Sequence, residues 1–213
     1  MRVAFFGCRG KVGSDICPAL REAGYDVMGV DVGVSFDLHN TDAIIDFTEA
    51  SAVVKNVEDA LAHGIPCIVG TTGMSSEQLA RLDELGKEAG KPVFLVPNFA
   101  IGAVLMMRFA REAAHFMERS EIVELHHETK KDAPSGTAKA TADLMGTGPV
   151  IHSVRLPGLV AHQEVLFGGL GQMLTIRHDT YSRKAYLPGI VLALQKLNTL
   201  PPGLTVGLEA LLR

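Results

Sequence analysis

Short apolar runs alternate with longer amphipathic stretches along the first hundred residues. Each run is rich in β-branched or aromatic residues and is bounded by Gly, Pro or Asp, as is typical of buried strands in a parallel sheet. The predicted strands are residues 3–6, 27–30, 43–47, 67–69 and 93–96. Apolar residues at helical spacing predict helices between them, at residues 11–23, 51–62 and 76–89. This alternation predicts an α/β fold with a Rossmann-like, doubly wound parallel sheet.

The pattern changes after Asn98. Residues 101–117 have the period of a long helix, and its apolar stripe would consist of Leu105, Phe109, Ala113 and Phe116. Strand-like segments follow at residues 121–127, 150–155, 164–167 and 173–177, interrupted by one short helix at 135–145. They predict a second, α+β domain with a mostly open sheet. Because a last helix at 189–197 would return to the first domain, we predict domains of residues 1–99 with 184–213 and of residues 100–183.

The composition narrows the class of protein. The 213 residues carry a formal net charge of −4, which gives no electrostatic reason to expect nucleic acid or an anionic membrane as a partner. Cys8, Cys17 and Cys67 are odd in number and scattered, which disfavours a disulfide framework and a zinc site, so we expect no metal. The apolar run at the N-terminus is too short for a signal peptide. We therefore expect a cytoplasmic protein.

A glycine-rich loop follows the first predicted strand and precedes a helix. It reads Gly-Cys-Arg-Gly-Lys-Val-Gly over residues 7–13, so its backbone N–H groups can approach a pyrophosphate at the helix N-terminus. The spacing is GxxGxxG rather than the commoner GxGxxG, and a plain βα turn is the alternative. Asp31 ends the second strand, where an acid binds the ribose of a dinucleotide. Because Arg9 and Lys11 can pair with a 2′-phosphate that Asp31 would repel, we predict use of both NADH and NADPH.

Two further loops lie at carboxyl ends of predicted strands, where open α/β sheets bind their ligands. Gly70, Thr71 and Thr72 follow the fourth strand, and Pro97, Asn98 and Phe99 follow the fifth. Their backbone and hydroxyl groups would hold ribose and carboxamide, and the Phe99 ring would wall the nicotinamide. Ordinary structural turns are the alternative for each loop.

The segment at residues 124–137 is the richest in chemistry-bearing side chains. His126 and His127 end a strand, so their rings are expected on opposite faces, and Lys130 follows in the connection to the next helix. That helix begins near Ser135 with small residues, which suits a carboxylate. Imidazole moves protons near neutral pH, and ammonium donates a proton or binds an anion. A solvated polar loop is the alternative; a metal is disfavoured because adjacent histidines on a strand do not share a face.

Together these segments resemble the 4-hydroxy-tetrahydrodipicolinate reductase family, also called dihydrodipicolinate reductases. The similarity runs nearly from end to end, and the His-His to Pro-Ser-Gly-Thr segment at residues 126–137 is its most specific part. Other matching motifs are the glycine loop, Ile-Asp-Phe-Thr at 45–48, Gly-Thr-Thr-Gly at 70–73 and Pro-Asn-Phe-Ala-Ile-Gly at 97–102. In two departures from the family pattern, Val32 rather than Arg follows Asp31, and the stretch at 145–150 is short.

The resemblance implies a reaction and a set of roles. The enzyme would pass hydride from NADH or NADPH to a cyclic, unsaturated dicarboxylate, giving tetrahydrodipicolinate with loss of water. His126 would handle protons, with Lys130 as proton donor, while His127, Gly136 and Thr137 would bind substrate carboxylates. The cofactor would be held by Gly7, Cys8, Arg9, Gly10, Lys11, Val12, Asp31, Gly70, Thr71, Thr72, Val96, Pro97, Asn98 and Phe99.

The same resemblance implies that residues 100–183 bind substrate and form a homotetramer. Two other functions stay open at this point. One is another NAD(P)-dependent oxidoreductase of related architecture, and the other is a dinucleotide sensor without catalytic activity, which would not need His126 and Lys130.

Overall fold

A six-stranded parallel sheet is built from the first half of the chain and one late strand. The computed structural model describes residues 1–33 and 37–212, and it divides into unit 1, Met1–Phe99 with Tyr186–Arg213, and unit 2, Ala100–Ala185. The second crossing between units therefore lies two residues after the predicted one. Residue 213, with which the predicted first domain ends, lies outside the described residues.

The strands of unit 1 follow the order β10-β5-β4-β3-β1-β2, and every neighbouring pair is parallel. Their bounds are β1 (Arg2–Phe6), β2 (Asp26–Val30), β3 (Ala43–Asp46), β4 (Cys67–Val69), β5 (Pro92–Leu95) and β10 (Gly203–Val206). The central strands β3, β4 and β5 are buried at every position, because helices cover both faces of the sheet. The predicted Rossmann-like fold is confirmed.

The helices of unit 1 include one whose ends are well capped. They are α1 (Gly13–Glu22), α2 (Ala50–Ala62), α3 (Ser76–Ala89) and α6 (Leu187–Lys196), with short 3₁₀ helices at Leu197–Thr199 and Leu208–Leu211. A further 3₁₀ helix, Arg183–Tyr186, lies where the chain passes from unit 2 to unit 1. Ser75 and Gln78 form a capping box at the start of α3, and Gly90 ends it in the left-handed conformation. Strand β10 was not predicted, because Pro201 and Pro202 precede a run of only four residues with no clear apolar pattern.

Unit 2 has a mixed four-stranded sheet in the order β7-β6-β8-β9. Its elements are α4 (Ile101–Ala113), β6 (Arg119–His126), α5 (Gly136–Met145), β7 (Val150–Arg155), β8 (Ala161–Gly169) and β9 (Gln172–Thr180). β6 runs parallel to β7 and antiparallel to β8, which is antiparallel to β9. One face of the sheet packs on the helices through buried Ile122, Val165 and Phe167, together with Ala138 of α5. The predicted second, α+β domain is confirmed.

The predicted apolar stripe of α4 is wrong at its two aromatic residues, although Ala113 does pack against the core. Phe109 is 53% exposed and Phe116 is 79% exposed, and the buried residues are Ala103, Val104, Met106 and Ala110 instead. α4 ends at Ala113, which places Phe116 beyond the helix. The small side chains on the true buried face give a weaker periodic signal than the two aromatic rings that lie outside it. No helix among residues 1–33 and 37–212 is long and apolar enough to span a membrane.

Candidate active site

The glycine loop of unit 1 forms a close turn around the start of α1. Gly7 has φ +83°, and a Cβ there would lie 2.5 Å from the Phe47 carbonyl oxygen. A Cβ at Gly13 would collide with the Gly7 carbonyl, so both positions need glycine. Within the described residues, the backbone N–H groups of Lys11 and Val12 donate to no protein group. Free N–H groups at a helix N-terminus bind phosphate, so the loop fits the pyrophosphate of a dinucleotide.

Two side chains of the loop differ in direction. The Cys8 Sγ lies 2.7 Å from the Sγ of Cys17 in α1, so this side chain packs inward and leaves only its backbone for a ligand. The Arg9 side chain is largely exposed, while its backbone N–H donates to the Asp31 carboxylate at 3.1 Å. Asp31 therefore fixes the loop in addition to lying where an acid would meet a ribose.

Asp46, at the carboxyl end of β3, is a buried carboxylate that joins three segments of unit 1. It accepts hydrogen bonds from the backbone and the hydroxyl of Thr48, from the Asn56 amide and from the Thr71 hydroxyl, at 2.7–2.9 Å. The hydroxyl of Thr71 is thus already engaged, whereas Thr72 is exposed. Sequence reasoning did not assign Asp46 to the site, although a single acid that ends an otherwise apolar strand was the available signal.

Three aromatic rings pack together next to the predicted nicotinamide loops, with Phe5 and Phe47 stacked and Phe99 tilted against Phe47. The Phe47 ring lies 5.6 Å from the Phe5 ring and 5.5 Å from the Phe99 ring, between centroids. A Cβ at Gly70 would lie 2.3 Å from the Phe47 ring, which explains the glycine. Phe99 and Val96 are buried, so their backbones rather than their side chains are available to a ligand, while Pro97 is exposed and Asn98 partly exposed.

A buried acid organises the corresponding region of unit 2. Glu124 has no exposed surface and lies on β6, two residues before His126, so both side chains face the helices. Both terminal nitrogens of Arg155, on β7, donate hydrogen bonds to the carboxylate, at 2.7 and 3.0 Å. The backbone N–H of Ser135 donates to it at 3.2 Å, and His126 Nδ1 lies within hydrogen-bond distance of Oε2.

The protonation states of this pair follow from its surroundings. Burial raises the pKa of Glu124, but hydrogen bonds from Arg155, Ser153 and His126 outweigh it and lower the pKa to about 2. Burial lowers the pKa of His126 below its usual 6.5, with Glu124 opposing the shift and Lys130 and Arg155 adding to it. At neutral pH the acid is charged and the imidazole is neutral. Since a carboxylate only accepts, Nδ1 carries the ring proton and Nε2 is left with a lone pair.

The other predicted polar residues of this segment lie in the connection after β6. The Lys130 ammonium binds both oxygens of Asp132, at 2.7 and 2.9 Å, and this hydrogen bond lowers the pKa of Asp132. His127 lies beyond the end of β6, and its Nδ1 is 2.7 Å from the Thr129 hydroxyl. The positive charge of Lys130 is therefore shared with a neighbouring acid before any anion binds.

The N-terminus of α5 offers unpaired backbone donors. Ser135 caps the helix by accepting from the Ala138 N–H, and its own N–H is bound to Glu124. In the described part of the chain, the N–H groups of Gly136 and Thr137 have no protein acceptor. Gly136 is exposed, and a Cβ added there would meet nothing within 4 Å, so no protein atom crowds the first residue of the helix on that side. This arrangement suits a carboxylate.

The predicted cofactor residues thus all lie in unit 1, and the predicted catalytic and substrate residues all lie in unit 2. Sequence reasoning missed Glu124 and Arg155 as parts of the site. The spacing of Glu124 and His126 on one strand was a usable signal, whereas Arg155 is brought in only by the pairing of β6 with β7. Residues 1–33 and 37–212 contain no cluster of three or more His, Cys, Asp or Glu side chains that could hold a metal ion.

Comparison with known proteins identifies relatives along the whole chain. The sequence profile of the N-terminal part of dihydrodipicolinate reductase matches residues 30–99, and that of the C-terminal part matches residues 102–212. The 4-hydroxy-tetrahydrodipicolinate reductases of Mycolicibacterium vanbaalenii and Nocardia farcinica are each 44% identical to this chain; the alignments cover all of it and 99% and 98% of the relatives. Both alignments are longer than 213 positions, so these relatives contain residues that this chain lacks.

Solved structures give the same grouping. A dipicolinate-bound dihydrodipicolinate reductase from Paenisporosarcina sp. TG-14 superposes with a TM-score of 0.86 at 32% identity, covering 99% of this chain and 98% of that one. An amine dehydrogenase from Mycobacterium smegmatis, at 13% identity and a TM-score of 0.69 over 96% of this chain and 94% of that one, shares the fold alone. Two profiles, full-length relatives and a close structural match establish that this chain belongs to the dihydrodipicolinate reductase family.

Proposed function

We propose that this chain reduces 4-hydroxy-tetrahydrodipicolinate to tetrahydrodipicolinate with NADH or NADPH. The observation that carries the proposal is the group formed by neutral His126, Lys130 and the open N-terminus of α5, in a chain whose full-length relatives bear the name of this reductase. A sensor without catalytic activity has no use for a buried acid that orients a histidine beside an anion site.

Unit 1 would hold the dinucleotide. The free N–H groups of Lys11 and Val12 would bind the pyrophosphate at the start of α1, with Asp31 near the adenosine ribose. Thr72, Pro97 and Asn98 lie on the loops that would meet the nicotinamide end. When bound, the cofactor supplies the hydride, and the exposed Arg9 side chain beside Asp31 would permit use of either NADH or NADPH.

Unit 2 would bind the dicarboxylate and move protons. Gly136 and Thr137 would bind one carboxylate through their N–H groups, and His127 would bind carboxylate from the exposed end of β6. The reaction replaces a ring hydroxyl with hydrogen, so the hydroxyl must leave with a proton. Lys130 would donate a proton, while Nε2 of His126 accepts and returns one.

The assay follows oxidation of NADPH or NADH with substrate generated from pyruvate and aspartate semialdehyde. We expect turnover by the wild-type chain and a fall in kcat of roughly 10²- to 10⁴-fold for His126→Gln and for Lys130→Ala, which is the usual contribution of a proton-transfer group. Glu112→Gln, at an exposed position of α4, is the control and should keep wild-type rates. Cofactor binding without oxidation would support the sensor instead.

We further propose a cytoplasmic homotetramer in which the sheet of unit 2 mediates association. Val150 and Met173, on its edge strands, and Leu170, in the turn between β8 and β9, are apolar and 58–93% exposed, and exposed apolar groups of this kind mark association surfaces. Light scattering of the purified chain should give four times the mass of one chain. The mass of a single chain would contradict this assembly.

A further inference from the structure

Glu124 of unit 2 is hydrogen-bonded to His126, to Arg155 and to the N-terminus of α5. Oε1 accepts from Arg155 and the Ser135 N–H, and Oε2 accepts from Arg155 and His126, while a side-chain hydrogen bond from Ser153 also reaches the carboxylate. The acid thus joins β6, β7 and the N-terminus of α5 at a point with no solvent exposure. A buried carboxylate with filled lone pairs holds its donors in fixed positions.

The Glu124 carboxylate determines which ring nitrogen of His126 carries the proton. Because the ionised carboxylate can only accept, it requires the proton of the neutral imidazole to be on Nδ1. Nε2 is then the atom that exchanges protons with a substrate. Without the acid, the ring could carry its proton on either nitrogen, and the form with a proton on Nε2 has no lone pair there.

Arg155 connects Glu124 to the segment that carries Lys130. Its guanidinium neutralises Glu124 through a two-pronged contact, so the acid orients His126 without drawing the proton from Nδ1. Arg155 also donates to the backbone carbonyl of Asp132 at 2.7 Å, and the Asp132 side chain binds Lys130. The same ion pair therefore reaches the segment that carries the proposed proton donor.

We propose that Glu124, balanced by Arg155, is a positioning residue that sets the tautomer of His126 and fixes the N-terminus of α5 against it. The inference rests on the proposed function, in which His126 exchanges protons with the dicarboxylate. Glu124 itself touches no substrate and acts only through these neighbours.

The test is Glu124→Gln, which keeps the shape of the side chain and removes its charge. We expect kcat to fall by roughly 10- to 100-fold, as is common when a group that orients a functional histidine is lost, while the Kd for NADPH stays within about twofold because unit 1 holds the cofactor. Glu112→Gln, which removes an exposed carboxylate from α4, should leave both values unchanged.

The pH profile of kcat/KM separates positioning from a merely structural role. The charged groups around His126 are Glu124 on its own strand, Arg155 on β7, and Lys130 and Asp132 in the loop before α5. Removing the acid leaves the two cations in place, so the imidazolium is less favoured and the pKa of His126 falls. The limb of the pH profile that belongs to His126 is identified by its absence in His126→Gln. In Glu124→Gln this limb should move to lower pH.

Two results overturn the proposal: wild-type kcat in folded Glu124→Gln, or a loss of kcat with an unmoved His126 limb. If the single variant does not fold, a measurement on the wild-type chain decides in its place. Nitrogen NMR of histidine-labelled wild-type chain needs no variant and should find His126 protonated on Nδ1; a proton on Nε2 instead overturns the proposal. Because this measurement does not depend on turnover, its failure is distinct from failure of the proposed function.

Discussion

The two units each contain one fully buried carboxylate near a proposed binding site, and the two differ in their partners. Within the residues that the structure describes, Asp46 in unit 1 accepts only from neutral groups, namely a backbone N–H, two hydroxyls and an amide. Glu124 in unit 2 accepts from a guanidinium and a histidine as well as from a backbone N–H and the Ser153 side chain. The neutral donors around Asp46 hold the loops in place and do not titrate near neutral pH. The donors around Glu124 include a charged guanidinium and a titratable imidazole, so this acid affects the protonation of His126.

The largest expected effect is the loss of folding stability when the buried acid of unit 1, Asp46, is removed. Asp46→Ala leaves the buried hydroxyl of Thr71 and the partly buried donors of Thr48 and Asn56 without their acceptor, and should lower the free energy of unfolding by about 3–5 kcal/mol. Its residual activity should show a raised KM for cofactor and an unchanged pH profile. Urea denaturation measures the first effect and steady-state kinetics the second.

The matched control for this variant is Asp59→Ala, which removes an exposed acid paired with Lys55 on α2. That pair should contribute less than about 1 kcal/mol. Equal losses from Asp46→Ala and Asp59→Ala would mean that the buried network of unit 1 does not stabilise its loops.

The next effect is the acid dependence of stability that Glu124 confers. Its pKa is about 2 in the folded chain against an ordinary 4.5, so the charged form stabilises the fold. Because the folded pKa is the lower one, this contribution is complete above pH 4.5 and is lost as the pH falls toward 2; it amounts to about 3 kcal/mol. The unfolding free energy of Glu124→Gln should fall less steeply than that of wild type over this range. Parallel curves would contradict the charged state of Glu124.

A smaller effect tests the open space at the start of α5. Gly136→Ala should fold normally, since the added methyl meets no atom, but the methyl adds bulk to the residue whose free N–H group would bind the carboxylate. We expect the KM for substrate to rise about tenfold, or about 1.4 kcal/mol, with kcat nearly unchanged. Gly168→Ala on β8, which also meets no atom, is the control; a similar KM in both variants would place the carboxylate elsewhere.

The smallest effect concerns the choice of cofactor in unit 1. Arg9→Ala removes an exposed cation beside Asp31 and should weaken NADPH about fivefold, or about 1 kcal/mol, while NADH changes less than twofold. The ratio of the two KM values in wild type should lie within roughly a hundredfold, about 2.7 kcal/mol. A larger preference in either direction would rule out use of both cofactors.

Local patterns predict the elements of unit 1 well because strands that are buried on both faces are continuously apolar. β4 and α3 have the predicted bounds. β10 escapes prediction because it is held by pairing with β5, a contact that its own short sequence does not reveal. The buried face of α4 escapes because Ala103 and Ala110 contribute little apolar signal beside Phe109.

The site divides in a similar way. His126, Lys130 and the start of α5 lie within twelve residues of one another, so sequence reasoning finds them together. Arg155 is remote in sequence and reaches Glu124 only because β6 and β7 pair in the register that sets His126 beside Arg155. The pairing of Lys130 with Asp132 likewise depends on side-chain geometry, which a charge pattern does not supply.

The proposed reduction is tested most directly by measuring whether the hydride of NADPH is transferred to the substrate. NADPH carrying deuterium at the transferred position is mixed with the wild-type chain and freshly generated 4-hydroxy-tetrahydrodipicolinate, and the product is examined by mass spectrometry. We expect one deuterium in tetrahydrodipicolinate for each NADPH oxidised, and much slower transfer by His126→Gln. Product without deuterium, or no oxidation by a chain that binds NADPH, would contradict the proposed reduction.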